Sequence, residues 1–100
     1  MDYEISWMSR AGVDLESILR RLTITSHQAA QEMHDGLMEA VDQLKRFPGI
    51  GALYDGRPGG NVREVLHRQY RIFYRVDDEK RLVEVMTIRH ASSREPRLPD

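Results

Sequence analysis

Tyr3, Ile5 and Trp7 alternate with Glu4 and Ser6, a period of two that predicts a half-buried strand over residues 3–8. Ser9 follows as a candidate N-cap. Ala11, Leu15, Ile18 and Leu22, with Leu19 beside them, then recur at spacings of three and four, which predicts an amphipathic helix. Thr23-Ile24-Thr25-Ser26 interrupts that pattern, because β-branched and hydroxyl residues are poor helix interiors. Ser26 is placed to cap a second helix, whose stripe runs Ala30, Met33, Leu37, Val41 and Leu44, widened by Met38 and Ala40. Lys45 and Arg46 fall in its last turn, where cations complement the helix dipole, and Pro48-Gly49 stop it.

Residues 49–61 (GIGALYDGRPGGN) contain five glycines and a proline and read as a loop or a series of turns. Three strand patterns come next: Val62 to His67, Tyr70 to Val76, and Leu82 to Arg89. In the second, Tyr70, Ile72, Tyr74 and Val76 share one face while Arg71, Phe73 and Arg75 share the other. Asp77-Asp78-Glu79-Lys80 supplies the turn between the last two strands, so the three form an antiparallel meander. The expected fold is α+β, in the order β-α-α-β-β-β. Two N-terminal helices pack on one face of a four-stranded, mainly antiparallel sheet, and residues 1–100 form one domain. An antiparallel sheet tolerates one solvated face, so the arginine-rich side needs no function to justify it.

Composition narrows the function classes. Apolar residues make up 40% of the chain and charged residues 31%, as in an ordinary globular protein. No apolar run approaches the roughly 20 residues of a membrane span. The acidic start Met1-Asp2-Tyr3-Glu4 has no apolar signal segment, and there is no cysteine; both set the expectation of a cytoplasmic protein. The net charge of -1 hides an asymmetry: residues 1–50 hold five Lys/Arg against eight Asp/Glu, whereas residues 51–100 hold ten against eight. That balance suits a local anionic contact and falls short of a general nucleic-acid binder.

The candidate chemistry gathers in the second half. His27, His34, His67 and His90 are scattered without carboxylates at ligand spacing, so no metal site or cofactor is expected. The glycine-rich loop precedes a strand rather than opening a helix, the wrong context for a phosphate cradle. Arg63, Glu64, His67, Tyr70, Arg71, Arg75, Arg89, His90 and Arg94 remain, and a meander can bring several of them to one surface. Cleavage of RNA by its own 2′-hydroxyl needs a base, an acid and cations for the charged transition state. Histidine and arginine supply these. The structural alternative is equally concrete: Arg71 and Arg75 pair across strands with Glu84 and with acids near the turn.

With the strand-helix-helix start and "DLESIL", the segments "LKRFPGIG" and "VREVLHRQYRIFYRVDDEKRLVEVMTIRHASSREP" resemble the RelE/ParE superfamily. Its members are toxins of type II toxin–antitoxin modules, among them plasmid stabilisation proteins. The resemblance implies a small cytoplasmic toxin neutralised by a cognate antitoxin that wraps it. RelE-type members cleave mRNA on the translating ribosome; in that case Arg71 and His90 occupy the catalytic positions. Arg63, Tyr70, Arg75, Arg89 and Arg94 are the candidate binding residues, whichever type the chain is. Some of these nucleases place a glutamate base after the "GIG" segment, where this chain has Ala52-Leu53-Tyr54-Asp55. They often carry a tyrosine or basic residue after the last strand, where this chain has Ala91-Ser92-Ser93. ParE-type members bind DNA gyrase and block it without catalysis. The missing groups and the near-neutral charge point to this second mode.

Overall fold

The computed structural model describes residues 2–54 and 61–93. The elements run β1 (Glu4–Trp7), α1 (Ser9–Thr25), α2 (His27–Asp42), a 3-10 turn (Gln43–Lys45), β2 (Ala52–Leu53), β3 (Val62–His67), β4 (Tyr70–Asp77) and β5 (Leu82–His90). This is the expected α+β arrangement with one strand more. The sheet has five strands in the order β1-β5-β4-β3-β2. The addition is β2, two residues inside the segment expected to be a loop, too short to show any alternation. It pairs with β3 through Ala52–Glu64 and Leu53–Arg63. The three long strands form the expected antiparallel meander. The first strand lies parallel to the last, with Ile5 opposite Val83 and Trp7 opposite Val85.

The helices differ from expectation at their ends. Met8, not Ser9, takes the N-cap position of α1, with an extended backbone and no side-chain cap. The helix also continues through Thr23 and Thr25, because the Thr23 hydroxyl donates to the Leu19 carbonyl at 2.8 Å and so folds back along the helix. Ser26 caps α2 as expected, its Oγ accepting from the Ala29 N–H at 3.1 Å. The α-helix ends at Asp42 rather than at Lys45 and Arg46. The last turn tightens to 3-10 geometry, which buries Leu44 and leaves Lys45 bound to Asp42 at 2.8 Å.

Ala11, Ile18, Met33, Leu37 and Val41 from the helices meet Tyr70, Ile72, Val85 and Ile88 from the sheet in the main core. Close approach of α2 to the sheet depends on Gly36. A methyl group there would sit 2.2 Å from Nε2 of His67 at the end of β3. The sheet's far side carries a second, smaller core of Val62, Phe73 and Met86, with Met8 and Tyr54 packed against it. The arginine-rich face is therefore apolar at its centre.

Two features shape the sheet. Phe73 pairs with Thr87 and Tyr74 with Val85, so Met86 is an extra residue on β5, a β-bulge. Beyond Trp7, β1 no longer covers β5. There the Asp14 carboxylate of α1 takes the place of a strand: its Oδ2 accepts from the Thr87 hydroxyl at 2.5 Å and from the Ile88 N–H at 3.0 Å. The second feature is Tyr74, fully buried, whose hydroxyl donates to the Pro48 carbonyl at 2.7 Å and accepts from the Gly51 N–H at 2.9 Å.

Asp14→Ala leaves a buried hydroxyl and a backbone N–H without an acceptor. We expect a loss of about 2 kcal/mol of stability, read from the midpoint of urea unfolding at constant m-value. Burial pushes the Tyr74 phenol above its ordinary value, opposed by the Gly51 N–H and by Arg63. A raised folded-state value means the phenol's contribution is present below the unfolded value of about 10 and is lost as pH climbs through the folded value. Tyr74→Phe should therefore lose stability less steeply than the native chain above about pH 10, in thermal melts followed across alkaline pH.

Candidate functional site

Alternation along β4 puts Arg71 and Arg75 on the face away from the helices. Both are held there by carboxylates of neighbouring strands. Arg71 forms a fork with Glu64 of β3, Nε to Oε1 at 3.0 Å and Nη2 to Oε2 at 3.1 Å. Its guanidinium also lies 4.8 Å from the centre of the Phe73 ring. Such two-pronged geometry is the strong form of an arginine–carboxylate contact. The two side chains are only 14% and 19% exposed, so solvent screens this pair far less than a surface ion pair. Arg75 binds Glu84 of β5 through Nε at 3.1 Å and Nη2 at 3.0 Å.

Arg63 belongs to the helix-facing side of β3, in register with Tyr74. Its Nη1 donates to the Gly51 carbonyl at 2.8 Å, so it acts with Tyr74 to hold the Pro48–Gly51 turn. Gly51 is required at this point, because a methyl group there would lie 2.6 Å from the Tyr74 oxygen and 2.7 Å from the Glu64 carbonyl.

His90 and Tyr70 sit opposite each other at the end of the sheet, edge to face at 5.6 Å. Nδ1 of His90 accepts from the Ser92 N–H at 3.1 Å and contacts the Ser92 hydroxyl at 2.7 Å. An N–H pointed at Nδ1 places the proton of the neutral ring on Nε2. Tyr70 and His90 border a hollow of about 250 Å³ against α1, whose Asp14, Ser17, Ile18 and Arg21 form the other wall. Arg89 borders it too, at the stretch of β5 that β1 leaves as an edge.

The structure thus separates the sequence candidates into groups. Arg71 and Arg89 face each other across β4 and β5, His90 and Tyr70 do the same one residue on, and the bulge sends these two pairs to opposite sides of the sheet. Arg71 and His90 do not converge. Arg75 lies further along the far face, and Arg63 serves the turn. His67 packs its ring on Gly36, with Nε2 buried and without a hydrogen-bond partner among the described residues. Arg94 lies outside the described residues. Among the described residues no group of three His, Asp or Glu side chains could hold a metal ion. No helix there is long and apolar enough to cross a membrane. Sequence reasoning missed Asp14, which shapes the hollow from 73 residues away. The available signal was an acid on the sheet-facing stripe of α1, between Ala11 and Ile18.

Residues 5–95 match the sequence model of the family described as ParE toxin of type II toxin-antitoxin system, parDE. The chain belongs to the ParE toxin family. It is accordingly the toxin of a type II toxin–antitoxin system, in the RelE/ParE superfamily. No curated protein matches it. Among solved structures, the ParE-family fold is shared with a chain of the chromosomal ParDE system from P. aeruginosa. That match has 20% identity and a TM-score of 0.74, covering 90% of this chain and 97% of that one. A chain of the RelBE2 toxin–antitoxin complex from Mycobacterium tuberculosis follows, with 21% identity and a TM-score of 0.66, covering 90% and 99%. The isolated E. coli RelE toxin has 23% identity and a TM-score of 0.59, covering 93% and 88%.

The Glu64–Arg71 fork of this ParE-family toxin gives a direct test. A double-mutant cycle with Glu64→Gln and Arg71→Gln should return a coupling of about 1–2 kcal/mol. Glu64→Gln alone should cost more than an exposed charge change elsewhere, since it removes the charge from a two-pronged pair that is largely shielded from solvent. Chemical denaturation of the four proteins supplies the numbers.

Proposed function

We propose that this toxin acts in the ParE manner: it binds DNA gyrase and blocks its cycle without catalysing a reaction, and a cognate antitoxin holds it in check. The observation that carries this reading is the separation of Arg71 from His90. Phosphodiester cleavage needs a proton-transfer group and a cation at one scissile bond. Here the cation is clasped by Glu64 on one side of the sheet, while the histidine belongs to the other. The chain also has no glutamate in the segment after "GIG", and its net charge of -1 gives little attraction to a polyanion such as ribosomal RNA. The family match supports the same reading. A partner antitoxin is supported by the ParDE and RelBE modules to which the structurally similar chains belong.

Purified toxin should inhibit supercoiling of relaxed plasmid by gyrase, and should leave mRNA intact when added to translating ribosomes. Co-expression with the antitoxin encoded beside it should relieve both growth arrest and gyrase inhibition. Cleavage of mRNA on ribosomes, with supercoiling unaffected, would establish the RelE-type activity in its place.

A further inference from the structure

We propose that the free toxin associates with a second copy of itself by pairing β1 with β1 of that copy, edge to edge. The β2 edge of the sheet is two residues long, the kind of short border that discourages pairing. The opposite edge, β1, runs over Glu4–Trp7 in unbroken register with β5. It has no proline, glycine or lysine to blunt it, and Glu4 is its single charge. Neighbouring bonds fix which backbone groups it presents. The Glu4 and Met8 N–H groups point inward, to the Arg81 and Val85 carbonyls at 2.9 Å. By alternation the N–H and C=O groups of Ile5 and Trp7 point outward, and among the described residues no hydrogen bond reaches them. Tyr3 is the next outward residue, but its N–H is taken by the Lys45 carbonyl at 2.9 Å. On the other side Ser9 begins α1. The open edge is therefore Ile5 and Trp7, with Ser6 midway.

That spacing is self-complementary. An antiparallel pair centred on Ser6 sets Ile5 against Trp7 of the second copy and Trp7 against its Ile5, so every outward N–H and C=O finds a partner. A pair centred on Ile5 sets Trp7 against Tyr3, whose N–H is already bonded, and one centred on Trp7 sets Ile5 against the first residue of a helix. The side chains agree with the Ser6 register. Ile5 and Trp7 pack on the helix side of the sheet, where an aliphatic–aromatic cross-strand pair is favourable. Ser6, exposed on the other side, meets its own counterpart as a pair of small hydroxyls. Charge selects the same direction. Asp2 and Glu4 stand at the start of the strand and Arg10 stands after its end. Antiparallel pairing lays each acidic start beside the basic end of the other copy, whereas parallel pairing sets like charges together. There is also room. Helix α1 packs over β5 rather than over β1, so the two α1 helices stand three strand spacings apart, about 14 Å. Helices touch at roughly 8–10 Å. The pairing is independent of whether gyrase or the ribosome is the target.

The test is sedimentation equilibrium of the purified full chain over a range of concentrations, together with hydrogen exchange followed by NMR. A monomer–dimer equilibrium is expected. The amides of Ile5 and Trp7 should gain protection as the dimer fills, while those of β2 at the opposite edge do not. Ser6→Lys puts two cations face to face at the centre of the pair, with Glu84 beside each on the neighbouring strand to keep the single chain folded. It should weaken dimerisation at least about fivefold. The chain has no cysteine, so Ser6→Cys introduces a single thiol whose counterpart lies about 4.5 Å away between Cα atoms. Mild oxidation should link that variant into a covalent dimer, and should link Glu4→Cys, set against Met8, far less. A monomer at every concentration, dimerisation untouched by Ser6→Lys, or equal cross-linking at positions 4 and 6 would overturn the proposal. So would protection of Ile5 and Trp7 that appears only when an antitoxin is added, which would assign this edge to the antitoxin.

Discussion

The β-bulge at Met86, tied down by Asp14, is the constraint on which the working end of this molecule depends. Before the bulge Val83 and Val85 face the helices. Strict alternation would send Thr87 and Arg89 to the same side. The extra residue reverses the phase, so Ile88 enters the main core and His90 joins Tyr70 beside α1. A bulge leaves backbone groups without ladder partners. The Asp14 carboxylate accepts from the Ile88 N–H and from the buried Thr87 hydroxyl at once, which anchors α1 to the sheet where β1 has already ended.

The far face of the sheet follows a different logic. Phe73, Met86 and Val62 are buried there, and the Arg71–Glu64 and Arg75–Glu84 pairs flank them. Arginine combines a long apolar stem with a planar head that stacks on a ring, and Arg71 uses both beside Phe73. The ion pairs thus belong to the packing of this face. Their arginines are restrained by acids on either side strand and are not loose cations awaiting a phosphate.

The periodicity of the sequence revealed both helices and the four longer strands, since each of these elements repeats its own pattern over several residues. The Ser26 cap was legible for the same reason, its partner lying three residues away. What sequence reading missed depends on partners distant in the chain. The two-residue β2 has no pattern of its own and exists only because β3 lies beside it. Met86 and Thr87 both suit a strand, so nothing marks the bulge between them. The partners of the arginines follow from register: Arg71 takes Glu64 across one strand pair and Arg75 takes Glu84 across the other. A one-residue slip would exchange faces along the whole strand. Arg71 and His90 stood out as residue types, but only the bulge decides that they point apart.

The Tyr74 phenol has a consequence at the surface, although it is itself wholly enclosed. By gripping Pro48 and Gly51, with Arg63 as a second anchor, it stiffens the turn that displays Phe47 and Ile50, both more than half exposed. A flexible turn carrying two such side chains would surrender its freedom on meeting another protein. This one has surrendered it during folding, so the two apolar side chains are held in place from below.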